Sequence, residues 1–337
     1  MKSLRLYGPG DLRLVDEAPP VPDPGDDLVR VTAVGICGSD LHWYAESGIG
    51  DAVLSRPIVL GHEAAGVIQS GPRAGLRVAI DPAIPCEECE QCRAGHAHLC
   101  LALRFAGDGT TDGMLRELVA WPVRRLVPVP DSLSDPDVAM LEPLGVALHA
   151  VRLAEIRPGM RVGVFGCGPI GLFLIRLARV SGATTIVATD VLPHRLAAAR
   201  EAGASATALV AGGSERGELL AATGGHGVDV AFEAAGENDA VETSIALAAP
   251  AGTVVIVGIP SADRTAFTAS TARRKGLTIK LSRRMNRVYP EVIRLVEAGN
   301  VDVRSVVTAS RPLGEFRAAF ATAAAREGLK VVIRPSE

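Results

Sequence analysis

The sequence predicts an α/β protein in which a doubly wound parallel sheet interrupts a second, mostly β domain. Three observations carry that expectation. From about Leu144 onward, short β-branched runs at 162–165, 185–189, 207–210, 228–232, 253–257 and 277–281 alternate with segments of helical composition such as 193–202 and 238–248. Strands alternating with helices build βαβ units and a parallel sheet covered on both faces. Ahead of Leu144 the chain is rich in proline, glycine and short β-branched runs, and after about Ser282 the alternation stops.

The first half is read as irregular antiparallel β structure. Residues 28–34 and 66–68 have strand composition, with the turn Pro22-Asp23-Pro24-Gly25 ahead of them. Beyond Ser282 the pattern gives a helix at 290–298, a turn at Gly299-Asn300, a second helix at 313–326 and a last strand at 330–333. That tail is expected to return to the first domain. The organisation expected is therefore 1–147 with 282–337 as one domain and 148–281 as the inserted one. Six strands in the insert suit a Rossmann-type sheet.

Bulk properties exclude several classes. A chain of 337 residues exceeds one ordinary core. With 48% hydrophobic and 22% charged residues it has the balance of a soluble globular protein. Net charge is −3 with both signs scattered, so no basic stripe invites nucleic acid. Residues 1–10 hold no signal-peptide core, and the longest apolar stretch, 162–175, is too short to span a bilayer and contains four glycines. A cytoplasmic protein without membrane contact is expected. In that compartment thiols stay reduced, so the six cysteines point to metal or chemistry rather than disulfides.

Four of them, Cys86, Cys89, Cys92 and Cys100, form C-x2-C-x2-C-x7-C. Cysteines this close can wrap one zinc ion in a tetrahedral shell. Four thiolates leave no open position, so such a site is structural. An iron–sulfur cluster uses similar ligands, but the spacing and the partner domain favour zinc over it and over four thiols clustered by chance. His96 and His98 are expected to be exposed loop residues, because no ligand vacancy remains.

Upstream lie Gly35-Ile36-Cys37-Gly38-Ser39-Asp40-Leu41-His42 and Gly61-His62-Glu63. Cys37 and His62 are ordinary zinc ligands, and Glu63 or Glu142 could supply a carboxylate oxygen. A catalytic zinc takes three protein ligands and keeps a fourth position open. An isolated Cys or His is more often a core residue, and spacing alone does not join Cys37 to His62.

Gly166-Cys167-Gly168-Pro169-Ile170-Gly171 is G-x-G-x-x-G. The pattern is weak alone, but residues 161–165 read as a strand before it and 170–179 as a helix after it. Gly166, Gly168 and Gly171 permit a tight turn and close approach of a pyrophosphate to the helix begun by Pro169 and Ile170. Asp190 ends the next strand, about twenty residues on. A carboxylate there accepts from both ribose hydroxyls and repels a 2′-phosphate, which favours NAD, although His194 and Arg195 leave NADP open. Cys167 is read as a small packing residue.

These residues together resemble the zinc-dependent medium-chain dehydrogenases, in the sorbitol (polyol) dehydrogenase branch. The resemblance spans nearly the whole chain. It includes Cys37-Gly38-Ser39-Asp40-Leu41-His42, Gly48-Ile49-Gly50-Asp51, Leu60-Gly61-His62-Glu63, the four-cysteine lobe, Arg104-Phe105-Ala106, Thr111-Asp112-Gly113 and Glu142-Pro143-Leu144. It implies a GroES-like first domain and a homo-oligomer, dimer or tetramer. It also implies two zinc ions, one catalytic and one structural. Cys37, His62 and Glu63 would hold the catalytic one, with Glu142 close by through water or as an exchanging ligand, and Asp40 orienting His62. The implied reaction moves a hydride between a secondary alcohol and NAD, with Ser39 and His42 relaying the proton and Arg195 on the adenosine side. Tyr44, with Trp43, is expected at the substrate cleft or in the core.

The chain departs from that branch near Arg283. Arg283 and Asn286 resemble its substrate-side Arg…Asn pair, but Ser282 and Arg284 replace flanking aromatics, and one residue is inserted before Tyr289-Pro290. The connection at 69–76 is also short. Arg283, Arg284 and Arg287 are either a solvated face or a sign of an anionic sugar substrate, as in the related L-idonate 5-dehydrogenases. An L-threonine dehydrogenase would share every zinc and cofactor motif. A catalytically silent dinucleotide-binding relative is the remaining alternative.

Overall fold

The computed structural model describes residues 1–337, which fall into two compact units. The first consists of Met1–Pro143, Tyr289–Glu297 and Val303–Glu337, the second of Leu144–Val288 and Ala298–Asp302.

In the first unit a sheet runs in the order Leu126–Pro128, Arg77–Ile80, Glu63–Ile68, Asp26–Gly35, Lys330–Arg334 and Val307–Pro312, with Leu118–Pro122 also paired to Asp26–Gly35. Only the pairing of Val307–Pro312 with Lys330–Arg334 is parallel. Along the central strand Val29, Val31 and Ala33 are fully buried while Leu28, Arg30 and Thr32 are half-buried, the period-two pattern of a strand with one inner face. At its end Gly35 pairs with Glu63 on one side and Val332 on the other. Three segments far apart in sequence therefore meet where the strand stops. A smaller sheet joins Lys2–Gly8 to Asp11–Asp16 and Ile58–Val59, and its Leu4, Leu6 and Ile58 pack in one core with Phe316 and Phe320.

The second unit is the doubly wound sheet. Its order is Ala206–Leu209, Thr185–Asp190, Arg161–Phe165, Val228–Glu233, Ala248–Ile256 and Thr278–Leu281, every pairing parallel. The strands are near-continuous apolar runs because helices such as Pro169–Val180 and Asn238–Leu247 alternate with them in the chain. Chain direction across the sheet reverses between Arg161–Phe165 and Val228–Glu233. That reversal opens a crevice at the carboxyl ends of the strands, where such sheets bind ligands.

Some boundaries differ from the sequence expectation. The helix expected at 238–248 stops at Leu247, since Ala248 already pairs with Val228, and the strand expected at 253–257 accordingly starts at Ala248. The helix expected at 313–326 is a 3-10 turn, Leu313–Glu315, followed by an α-helix, Phe316–Ala324. It ends where Arg326 turns left-handed at φ 56°. Residues 144–147 and 282–288 belong to the second unit. A Cβ on Gly145 would lie 2.6 Å from the Met285 sulfur and 2.9 Å from Val288, so those two segments pack directly. Residues 298–302 join it too, with Arg176 donating to the Asp302 carbonyl at 2.6 Å.

Candidate metal and dinucleotide sites

Cys37 follows the central strand and caps the helix Gly38–Glu46. His62 and Glu63 enter the neighbouring strand after Gly61, whose φ of +91° lets the chain turn sharply into the site. The Cys37 sulfur, a His62 nitrogen and a Glu63 oxygen lie within 4.8 Å of one another. Gly35 makes room for this cluster, because a Cβ there would fall 2.0 Å from Glu63 Oε2.

Asp40 holds the two segments together. Its Oδ2 accepts from the Cys37 N–H at 2.9 Å and its Oδ1 from the Gly61 N–H at 3.0 Å. His62 Nδ1 stands 3.6 Å from Oδ1, beyond a good hydrogen bond, so Asp40 acts on the imidazole mainly through backbone placement and charge. Sequence reasoning missed Lys330. Its buried ammonium donates to Glu63 Oε1 and Oε2 at 2.7 and 2.8 Å and to the Ile36 carbonyl at 3.0 Å. The only signal available was a lysine opening the last strand.

The cluster carries more acid than base. Three buried carboxyls, Asp40, Glu63 and Glu142, and the Cys37 thiol face one imidazole and one ammonium. Burial opposes charge on His62, yet Asp40, Cys37 and Glu142 outweigh it and lift its pKa to about 10. Burial, aided by Glu63, pushes the Glu142 carboxyl up to about 7 against the pull of His62 and Lys330. A mixed thiol, imidazole and carboxylate set in surplus negative charge fits a divalent transition metal. Glu142 lies outside the 4.8 Å group.

Ser39 and His42 lie on the helix Gly38–Glu46, three residues apart and on one face. His42 Nδ1 is 3.7 Å from Glu46 Oε1, and its side chain is 28% exposed. Tyr44 packs against Phe320 with ring centroids 5.2 Å apart. Trp43 is a core residue, closing over Gly109. Arg283 is exposed and belongs to the second unit, whereas the metal-ligand set belongs to the first. Arg284 and Arg287 both have left-handed backbones, at φ 55° and 52°, an unusual pair for arginines.

The sulfurs of Cys86, Cys89, Cys92 and Cys100 also lie within 4.8 Å of one another. Backbone N–H groups of Cys86 and Cys89 point at the sulfurs of Cys100 and Cys86, at 3.3 and 3.4 Å. The Cys92 backbone favours thiolate at Cys89, while burial holds the Cys92 thiol neutral. A cation at the centre would relieve that conflict. The expectation of exposed histidines holds for His96 only. The 3-10 turn Ala97–Leu99 folds His98 inward, leaving it 9% exposed.

In the second unit, Gly166 has φ +103°, and a Cβ on Gly171 would lie 1.9 Å from its carbonyl oxygen. Gly168 caps the helix that starts at Pro169, and a Cβ there would meet only Arg195 Nη1, at 3.6 Å. Pro169 has no N–H to leave unpaired, and the first-turn N–H groups of Ile170 and Gly171 follow it, the setting in which helix starts bind phosphate. Asp190 accepts from the Cys167 N–H at 2.7 Å and the Leu192 N–H at 2.9 Å. Cys167 is buried, its thiol pushed up by burial and donating to the Thr189 carbonyl at 3.3 Å, as suits a packing residue.

Comparison with known proteins follows the same division. Residues 23–131 match the family model of the alcohol dehydrogenase GroES-like domain, and residues 169–298 that of the zinc-binding dehydrogenases. The chain is 33% identical over 346 residues to a sorbitol dehydrogenase of Bacillus subtilis, covering 100% of this chain and 98% of that one. It is 37% identical over 346 residues to a probable D-xylulose reductase A of Arthroderma otae, covering 98% and 97%. A solved putative zinc-binding dehydrogenase from Sinorhizobium meliloti, bound to NADP, superposes with a TM-score of 0.90 at 32% identity over 99% of both chains.

Proposed function

The chain belongs to the zinc-dependent medium-chain dehydrogenases, in their polyol branch, and from that premise we propose that it oxidises a secondary alcohol of a polyol or sugar derivative to the ketone with NAD. The convergence of Cys37, His62 and Glu63 in a buried pocket of surplus negative charge carries this reading.

Cys37, His62 and Glu63 would hold one zinc and the four cysteines a second, structural one. Glu63 is preferred to Glu142 as third ligand because it lies inside the cluster; Glu142 remains a neighbouring acid. When bound, the metal supplies Lewis acidity to a substrate hydroxyl and nicotinamide supplies the hydride acceptor. Asp40 keeps Cys37 and His62 in register, and Lys330 orients Glu63. The alcohol loses one hydride and one proton in balance. Ser39 at the first turn takes the proton from the substrate side, and His42, part-exposed beside Glu46, delivers it to water. Gly166, Gly168 and Gly171, with Pro169 and Ile170, seat the pyrophosphate, Asp190 the ribose hydroxyls and Arg195 the adenosine side. Tyr44 would border the substrate.

Exposed Arg283 and Arg287 favour a second reading, an anionic sugar such as an aldonate or a sugar phosphate. A panel of polyols, aldonates, sugar phosphates and threonine, tested with NAD and NADP on zinc-loaded protein, separates the readings by reduced-cofactor absorbance. Polyol turnover that Cys37→Ser abolishes is the result expected. No turnover in protein shown to hold two zincs would favour a silent dinucleotide binder. Six free cysteines and the absence of any helix long and apolar enough to cross a membrane support a cytoplasmic location. Family membership supports a dimer or tetramer, which light scattering would measure.

A further inference from the structure

Glu233 ends the Val228–Glu233 strand and is fully buried. Its carboxylate accepts backbone N–H groups from two separate loops. Oε1 takes those of Ala235 and Gly236, each at 2.7 Å, and Oε2 takes that of Gly258 at 3.2 Å, across the turn that follows the next strand. The two loops touch without intervening side chains. A Cβ on Gly258 would fall 2.2 Å from the Gly236 nitrogen, and one on Gly236 would fall 2.5 Å from the Ile259 carbonyl oxygen. The phosphate-binding turn touches this loop only at its first residues, a Cβ on Gly166 lying 2.8 Å from the Ala234 carbonyl carbon, and Ala234 is held independently of the carboxylate by its own N–H to the Phe165 carbonyl at 2.8 Å.

These loops stand at the carboxyl ends of the parallel strands, on the far side of the switch point from Asp190. A dinucleotide whose ribose meets Asp190 and whose pyrophosphate crosses Gly166–Gly171 must send its other half toward Ala234–Gly236 and Val257–Ile259. A primary carboxamide presents two N–H donors and one carbonyl acceptor, and is recognised by backbone groups held at fixed spacing. A carboxylate enclosed by three N–H groups ties such a backbone together more firmly than neutral bonds do.

We propose that Glu233 is a positioning residue for the nicotinamide half of the cofactor, acting by locking the 234–236 loop to the 257–259 loop. The proposal rests on the dinucleotide reading of the second unit. Glu233→Gln keeps the shape and one acceptor oxygen but turns an amide NH2 toward an N–H donor, which uncouples one loop from the other. Gly258→Ala separates the loops sterically while keeping the Glu233 charge, although its Cβ would also fall 2.7 Å from Glu233 Oε2 and press on that oxygen.

Binding of NADH and of ADP-ribose, which lacks nicotinamide, to the zinc-loaded full chain tests this. Both variants should bind NADH about tenfold more weakly and ADP-ribose within about twofold of the unsubstituted protein. Equal weakening of the two ligands would mark a merely structural role and overturn the proposal, as would unchanged NADH affinity in both variants. Failure of the unsubstituted protein to bind ADP-ribose would instead remove the dinucleotide reading, and the proposal with it.

Discussion

Lys330 and Glu63 form an ion pair that water does not reach, so each serves as the other's solvation. Breaking such a pair from one side costs far more than removing it whole, because the surviving charge is left buried and unpaired. Lys330→Met should therefore destabilise the metal-free protein by about 3 kcal/mol in urea unfolding. Adding Glu63→Gln should recover most of that loss; a cost under about 1 kcal/mol would mean that the pair behaves as a surface bridge. His62 makes a second prediction at this scale. In the metal-free fold its pKa is raised to about 10 from 6.5, so its imidazolium adds stability that is complete below 6.5 and lost as pH rises through 10. Metal needs the neutral ring, so binding at pH 7 must displace that proton. Affinity of the Cys37 site for zinc, measured by chelator competition on protein that keeps its second zinc, should rise at least about tenfold per pH unit between pH 7 and 9, the His62 proton alone contributing that factor. A flat profile would mean that His62 is already neutral.

Elements differ in how openly the sequence declares them. The glycine loop and the four-cysteine lobe were readable because each is local: one strand, turn and helix start, and one run of fifteen residues. Lys330 was not readable, because it meets Glu63 across 267 positions and looks in sequence like any lysine opening a strand. His98 was misjudged since a 3-10 turn, not composition, decides which way it faces. Asp190 was expected as a ribose acceptor; its tie between its own strand end and the glycine loop, through the Cys167 and Leu192 N–H groups, was not expected. Asp190→Ala should accordingly act twice. Unpairing these N–H groups should cost about 1–3 kcal/mol of stability, and removing the carboxylate should raise the NADP-to-NAD ratio of kcat/KM. A normal melting temperature with an unchanged cofactor ratio would refute both roles.

Across the whole molecule, candidate chemistry is divided between two units assembled from interleaved stretches of chain, with every candidate metal ligand in the first and the glycine loop in the second. The returning tail was an expectation from the sequence, whereas the packing of Met285 and Val288 on Gly145 was not expected, because contacts so distant leave no periodic trace. This division predicts the course of metal removal. The Cys37 site would have three protein ligands and an open position through which a chelator can attack, whereas four thiolates enclose their ion completely. Dialysis of holoprotein against a strong chelator should release zinc in two phases, one equivalent each. The fast phase should carry away turnover, and the slow phase should lower the unfolding midpoint, because metal held in a closed shell is folding energy. ADP-ribose affinity should stay constant through the fast phase, since no cofactor-loop residue is a metal ligand. Metal analysis, turnover and ligand titration on the same samples check the order. Turnover that survives the fast phase and falls only with the second equivalent would reverse the roles assigned to the two sites.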